Sequence, residues 1–283
     1  MAPTLSNNRV IDCRPSLMGK VAFITGGFGG IGRECVQSLI AHGANVAFTY
    51  SDGVERAEEA EQLVAENPDQ LSAHVLDVRY LSSIQHSMKE AMARWQRLDI
   101  VINCAAVGSA TVTNYDDEAA KQDSAMLTIN ADGTLKVCQT FLELMTHALK
   151  TDPLKIINIS SVGGGIQVFP GFRLSDGMSK AAVAFLTRQL AAQLTDTMVD
   201  VFAVCPGATN TPMFQASTLN SMTPDEQKAF AESLPKGRLI DPSEIATIIT
   251  FLASAYSAPL HGAVIDASMG LGVRPGLITE QNH

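Results

Sequence analysis

Residues 20–32, KVAFITGGFGGIG, constrain the fold of this chain more than any other stretch. An apolar run of strand length, 21–25, feeds straight into glycines and then into a helical pattern over 30–42. A tight strand-to-helix turn needs glycine where the backbone must come close to another group. The helix start then aims its free amide N–H groups at whatever lies there, and a pyrophosphate suits such a site. Gly26, Gly30 and Gly32 stand in GxxxGxG spacing, with Ile31 between the last two. A bare βα turn without a ligand is the competing reading. The turn's place between a strand and a helix, early in the chain, favours a dinucleotide.

The same alternation continues downstream. Strand-like runs are expected at 21–25, 45–49, 72–76, 100–103, 155–160, 199–204 and 263–266, and the clearest helices at 30–42, 83–95, 180–194 and 242–253. Strands separated by helices of this length imply right-handed βαβ crossovers and a parallel sheet covered on both faces. The expected fold is therefore α/β, a doubly wound, Rossmann-like parallel sheet of about seven strands. With 283 residues, 46% apolar and 17% charged, the chain suits a single domain over 19–283 after a polar, proline-punctuated extension at 1–18. Two helix starts are strongly marked, by Asp241-Pro242-Ser243-Glu244 and by Thr223-Pro224-Asp225-Glu226. The second belongs to an insertion at about 212–238, a candidate lid over the ligand crevice. The acid-rich run 55–66 has helical spacing and reads as a solvated face.

Composition removes several function classes. A net charge of −9 without a Lys/Arg cluster argues against nucleic acid. No run approaches the ~20 apolar residues of a membrane span, and neither end carries a recognised targeting signal, so a cytoplasmic protein without membrane association is expected. Cys13, Cys35, Cys104, Cys138 and Cys205 are scattered through apolar runs and read as reduced, buried thiols. The six histidines form no metal-ligand pair, and neither GxSxG nor Cys-x-x-Cys occurs; no metal is expected.

Further stations appear in order: Leu76-Asp77-Val78, the NCAA of 103–106, Asn130 in INADG, Ser161 ending INISS, Lys180 in MSKAAV, and CPGATNT over 205–211. With TGGFGGIG, this set resembles the short-chain dehydrogenase/reductase family over roughly residues 18–273. The resemblance implies that Gly26, Gly30, Ile31 and Gly32 cradle the pyrophosphate, and that Asp77, Val78 and Asn103 serve the adenosine side. It further implies that Pro206, Gly207, Thr209 and Thr211 hold the carboxamide and that Lys180 anchors the nicotinamide ribose. Asn130, Ser161 and Lys180 match catalytic positions. Each has a plainer reading as well: Ser161, or its neighbour Ser160, as a turn cap, and Asn130 as a tie between helices. Family members are commonly homodimers or homotetramers joined through the helices around Asn130 and Lys180. Where NAD-preferring relatives carry an acid at the end of the second strand, this chain has Tyr50 and Ser51, eighteen residues after Gly32 and beyond. NADP(H) is therefore favoured over NAD(H), with Asp52 close by, Gly29 in a position often basic in NADP enzymes, and Arg33 or Arg56 as possible compensation.

The chain departs from the family at one chemically decisive position. Four residues before the lysine, where the family has a proton-donating tyrosine, stands Asp176. Tyr115, in another loop, is the alternative phenol, and Ser268-Met269-Gly270 replaces the terminal DGG. Keeping an aspartic acid neutral at pH 7 costs about 4 kcal/mol against its usual pKa of ~3.9, and a neighbouring Lys180 is expected to push it lower still. Asp176 is then an anion that accepts hydrogen bonds, and ordinary ketone reduction loses its proton donor. Three readings follow: charge stabilisation of an iminium substrate, a base or electrostatic partner in an isomerisation, cyclisation or enone-type reduction, or an Asp176–Lys180 ion pair in a cofactor-binding protein without catalysis. The apolar patch Val168, Phe169, Pro170 and Phe172, opposite Met213 and Phe214, favours an apolar small molecule as substrate.

Overall fold

The computed structural model describes residues 15–51 and 57–273. Seven strands form one parallel sheet in the order β3-β2-β1-β4-β5-β6-β7. They are β1 Val21–Thr25, β2 Asn45–Tyr50, β3 Leu71–Val75, β4 Ile100–Asn103, β5 Leu154–Ile159, β6 Val199–Pro206 and β7 Val264–Ala267. The helices of eight or more residues are α1 Gly30–Ala41, α2 Ala57–Glu66, α3 Leu81–Trp95, α4 Ala119–Leu127, α5 Thr134–Leu144, α6 Leu174–Gln193, α7 Pro224–Ser233 and α8 Pro242–Ala253. The doubly wound single domain expected from the alternation is the fold found.

Period-two alternation along buried strands builds two cores. Val21 and Phe23 of β1 face α3, α5 and α6, while Ala22 and Ile24 face α1 and α8. Strand order reverses between β1 and β4, so the crossovers leave to opposite sides there and open a crevice at the strand C-termini. α7 and α8 both start with the capping boxes expected of them, Thr223 with Glu226 and Asp241 with Glu244.

Several boundaries differ from expectation. Leu17, placed in the extension, is 1% exposed and its amide donates to the His42 carbonyl, so the end of that segment packs on the domain. α6 begins at Leu174 and not at 180, because Gly177 and the polar residues around it conceal two turns that packing against α4 makes helical. Asp176 and Lys180 therefore share one helix. α4 runs through a π turn, Thr128–Gly133, into α5. The insertion holds the short turn Pro212–Phe214, a π turn Gln215–Leu219, α7 and the turn Pro235–Gly237. Among the described residues no helix is long and apolar enough to cross a membrane, and Cys35, Cys104, Cys138 and Cys205 are free thiols. Cys13, Asp52 and Arg56 lie outside the described residues.

Candidate active site

A cleft of about 850 Å³ opens at the C-terminal ends of the central strands. Its floor is the glycine turn. Gly26 has φ +63°, and a Cβ there would stand 2.8 Å from the Ala105 Cα. A Cβ on Gly30 would stand 2.6 Å from the Thr211 Cγ2, and one on Gly32 would strike the Gly26 carbonyl. The glycines thus serve chain-to-chain contact as well as ligand approach, a requirement not visible in the motif itself. Gly29 caps α1 without a side-chain hydrogen bond, and the first turn of α1 holds no acidic residue. Uncapped amides at the positive end of a helix dipole, over a glycine floor that side chains would fill, fit a dinucleotide pyrophosphate.

Tyr50, Ser51, Asp77 and Val78 line one end of the cleft. The Asp77 carboxylate accepts from Arg79 Nε at 3.0 Å and from Nη2 at 2.6 Å. Partial burial pushes this carboxyl up, but Arg79's hydrogen bonds and charge outweigh it and hold the group below its ordinary value. Arg79 also lies over the Tyr115 ring at 4.9 Å, so the alternative phenol is engaged at this end. Asn103 is not on the cleft wall. It is buried in β4, and its Nδ2 donates to Asn158 Oδ1 at 2.8 Å and to Cys138 Sγ at 3.4 Å.

At the other end Pro206, Gly207, Thr209 and Thr211 line the cleft with Ser161, Asp176 and Lys180. Ser160 and Ser161 divide two tasks. Ser160 Oγ donates to the Lys180 carbonyl at 2.8 Å and ties strand to helix, while Ser161 caps the turn Val162–Gly165 by accepting from Gly163 N at 3.2 Å. Lys180 is buried and its Nζ donates to the Ile159 carbonyl at 3.3 Å. Burial lowers its pKa, against the attraction of Asp176. Among the described residues, no hydrogen bond and no ion pair within 4.0 Å reaches the Asp176 carboxylate, so the i,i+4 pair with Lys180 is not made. The direction expected for Asp176 is reversed: burial raises its pKa, and Lys180 and Arg173 only reduce that rise. Asn130 stands outside the cleft wall, 1% exposed, with its amide bonded to Val107 and Ser179.

A family model described as enoyl-(acyl carrier protein) reductase matches residues 26–272. Oxidoreductase UcpA of Salmonella typhimurium is 32% identical over 261 residues, spanning 90% of this chain and 96% of its own. The chain belongs to the short-chain dehydrogenase/reductase family. A second relative, 2-keto-3-deoxy-L-fuconate dehydrogenase of Xanthomonas campestris, is 32% identical over 260 residues, spanning 90% of this chain and 79% of its own. The solved RhlG/NADP active-site complex of Pseudomonas aeruginosa superposes with a TM-score of 0.78 at 27% identity, covering 91% of this chain and 98% of that one. The protein is an oxidoreductase of this family's type.

Within the family scaffold, the apolar end of the cleft is only partly the one expected. Phe169, Phe172, Met213 and Phe214 line it, but Val168 is 87% exposed and Pro170 is exposed too. Phe230 and Leu234 of the insertion complete it, with the Phe214 and Phe230 rings 6.1 Å apart. Three further residues went unnoticed in sequence. Arg173 binds Asp123 at 2.7 Å beside the cleft mouth, Val107 forms its wall, and Ser179 lies behind Asp176. Only the serine has a local signal, its place three residues after Asp176 on one helix.

Proposed function

We propose that this protein is an NADP(H)-dependent oxidoreductase with an atypical active site, in which Asp176 occupies the place of the family's tyrosine. Hydride passes to or from an apolar small molecule, with an iminium or conjugated acceptor favoured. The observation that carries this is the Asp176 carboxylate, unpaired in a cleft end whose other walls include Phe169, Phe172 and Phe214. A charged carboxylate in such surroundings is costly unless it is paired, and a cationic substrate supplies the partner. Such a substrate needs no proton donor when hydride arrives.

When bound, the nicotinamide supplies or accepts the hydride. The chain's own residues do the rest: the glycine floor and the start of α1 hold the pyrophosphate, Lys180 the ribose, Thr209 and Thr211 the carboxamide side, and Ser161 the substrate. NADP(H) is favoured because Asp77 and Asp176 are the only carboxylates among the described residues lining the cleft, and neither ends β2. A 2′-phosphate near Tyr50 and Ser51 thus meets no acidic side chain at the described end of β2, and Asp77, the described carboxylate at that end of the cleft, is already bonded to Arg79. Fluorescence titration with NADPH and NADH tests this: tighter binding of NADPH is expected, and a preference for NADH overturns it.

Asp176→Asn and Asp176→Tyr test the chemistry. The Asn variant is expected to lose at least tenfold in kcat/KM on iminium substrates, and the Tyr variant to gain ketone reduction; full activity of Asp176→Asn sinks the reading. The raised carboxyl pKa also favours a second reading, a redox-neutral isomerase or cyclase with Asp176 as base. Product formation without a change in nicotinamide absorbance would decide for it. A homodimer or homotetramer in the cytoplasm completes the proposal, supported by exposed Met178 and Phe185, seven residues apart on α6.

A further inference from the structure

We propose that Ser179 and Asn130 are positioning residues that hold Asp176 in place across the cleft, through a directed run of hydrogen bonds from the Val107 wall to the first turns of α6. Val107 N donates to Asn130 Oδ1 at 2.8 Å, and Asn130 Nδ2 donates back to the Val107 carbonyl at 3.0 Å. The side-chain amide thereby pairs with a peptide group as a neighbouring strand would. The other Nδ2 hydrogen goes to Ser179 Oγ at 3.1 Å, and that hydroxyl donates its own hydrogen to the Asp176 carbonyl at 2.8 Å. Both side chains are buried, Asn130 at 1% and Ser179 at 0% exposed, so each unmade bond would leave a polar group dry. Asn130 rides on the π turn Thr128–Gly133, a helix irregularity of the kind that concentrates at functional sites.

Asp176 needs such support. Gly177 follows it and weakens the helix at that point, and its carboxylate has no partner of its own. Four residues ahead of Lys180, it is free to relax into the i,i+4 ion pair that the structure does not contain. The charged groups acting on it are Lys180 and Arg173 of its own segment, and Arg173 is itself bound by Asp123 of α4, which also accepts from Ser175. Val107 and Asp176 both line the cleft, so the run couples two segments that a substrate there would touch. Asn130 therefore acts through Asp176's backbone.

The inference rests on Asp176 taking part in the reaction, and the test separates the two. The Asp176 carboxyl is titrated by ¹³C NMR in the nucleotide-free protein, in wild type, Ser179→Ala and Thr187→Ala. Thr187 is a matched control: fully buried on the same helix, it accepts from Asn158 Nδ2 at 2.9 Å but has no link to Asp176. Ser179→Ala is expected to lower the Asp176 midpoint toward the ordinary carboxylate value and to reduce kcat about tenfold with little change in KM, as misplacement of a reacting group does. Thr187→Ala is expected to lower Tm and leave the midpoint alone. Ser179→Cys, keeping a weak donor in nearly the same volume, should recover part of the shift. An unmoved midpoint in Ser179→Ala, or an equal shift in Thr187→Ala, overturns the inference. Full activity of Asp176→Asn overturns the functional reading but leaves the NMR result standing.

Discussion

Asp176 is where side-chain chemistry and burial meet. Its folded pKa is raised, so the folded state binds its proton more tightly than the unfolded chain does. The stability this contributes is fully present below the unfolded value of ~3.9 and is lost as pH rises through the folded value. Asp176→Asn should therefore melt above wild type at pH 7–8, and the difference should vanish near pH 4; paired melting curves measure it. Activity on a cationic substrate should rise with pH through the same ionisation, and the Asn variant should lack that limb. The aspartate's identity was legible in the sequence. Its pKa direction was not, because Lys180 is a sequence neighbour whereas the desolvating walls come from distant segments.

Glycines on and beside α6 set its geometry. A Cβ on Gly177 would meet only Phe172 Cδ1, at 3.8 Å, so Gly177→Ala should stabilise the protein by about 0.5–1 kcal/mol through helix propensity. Gly164 is the opposite case, with φ +91° and a Cβ that would strike the Gly177 carbonyl. Gly164→Ala should cost ~1–3 kcal/mol, and chemical denaturation distinguishes the pair. At the foot of the insertion, Arg238 and the Asp241 amide hold Glu244, bringing its carboxyl down to about 2. Its contribution is present above the ordinary carboxylate range and lost as pH falls through about 2. Glu244→Gln should speed amide exchange over 234–244 at neutral pH. The caps of α7 and α8 were readable because a capping box is local; the first turns of α6 were not, because packing supplies what Gly177 withholds.

Across the whole molecule, the end of the sheet opposite the cleft carries a buried charge. Lys155, 3% exposed at the start of β5, binds Asp200 of β6 at 2.5 Å and Ser257 at 3.2 Å. Lys155→Met leaves Asp200 without its cation and should cost about 3 kcal/mol in denaturant unfolding, while kcat stays unchanged because the cleft lies at the other strand ends. The sequence by itself determined the parallel α/β architecture, the glycine floor and most residues along the cleft, since strand period, glycine spacing and caps are properties of neighbouring residues. Only the tertiary structure decided which polar side chains reach the cleft. Asn103 and Asn130 turn into the core, Ser160 ties a helix while Ser161 caps a turn at the cleft, and Asp176 stands unpaired among the described residues. Burial and hydrogen-bond partners come from segments far apart in the chain, so no local pattern encodes them.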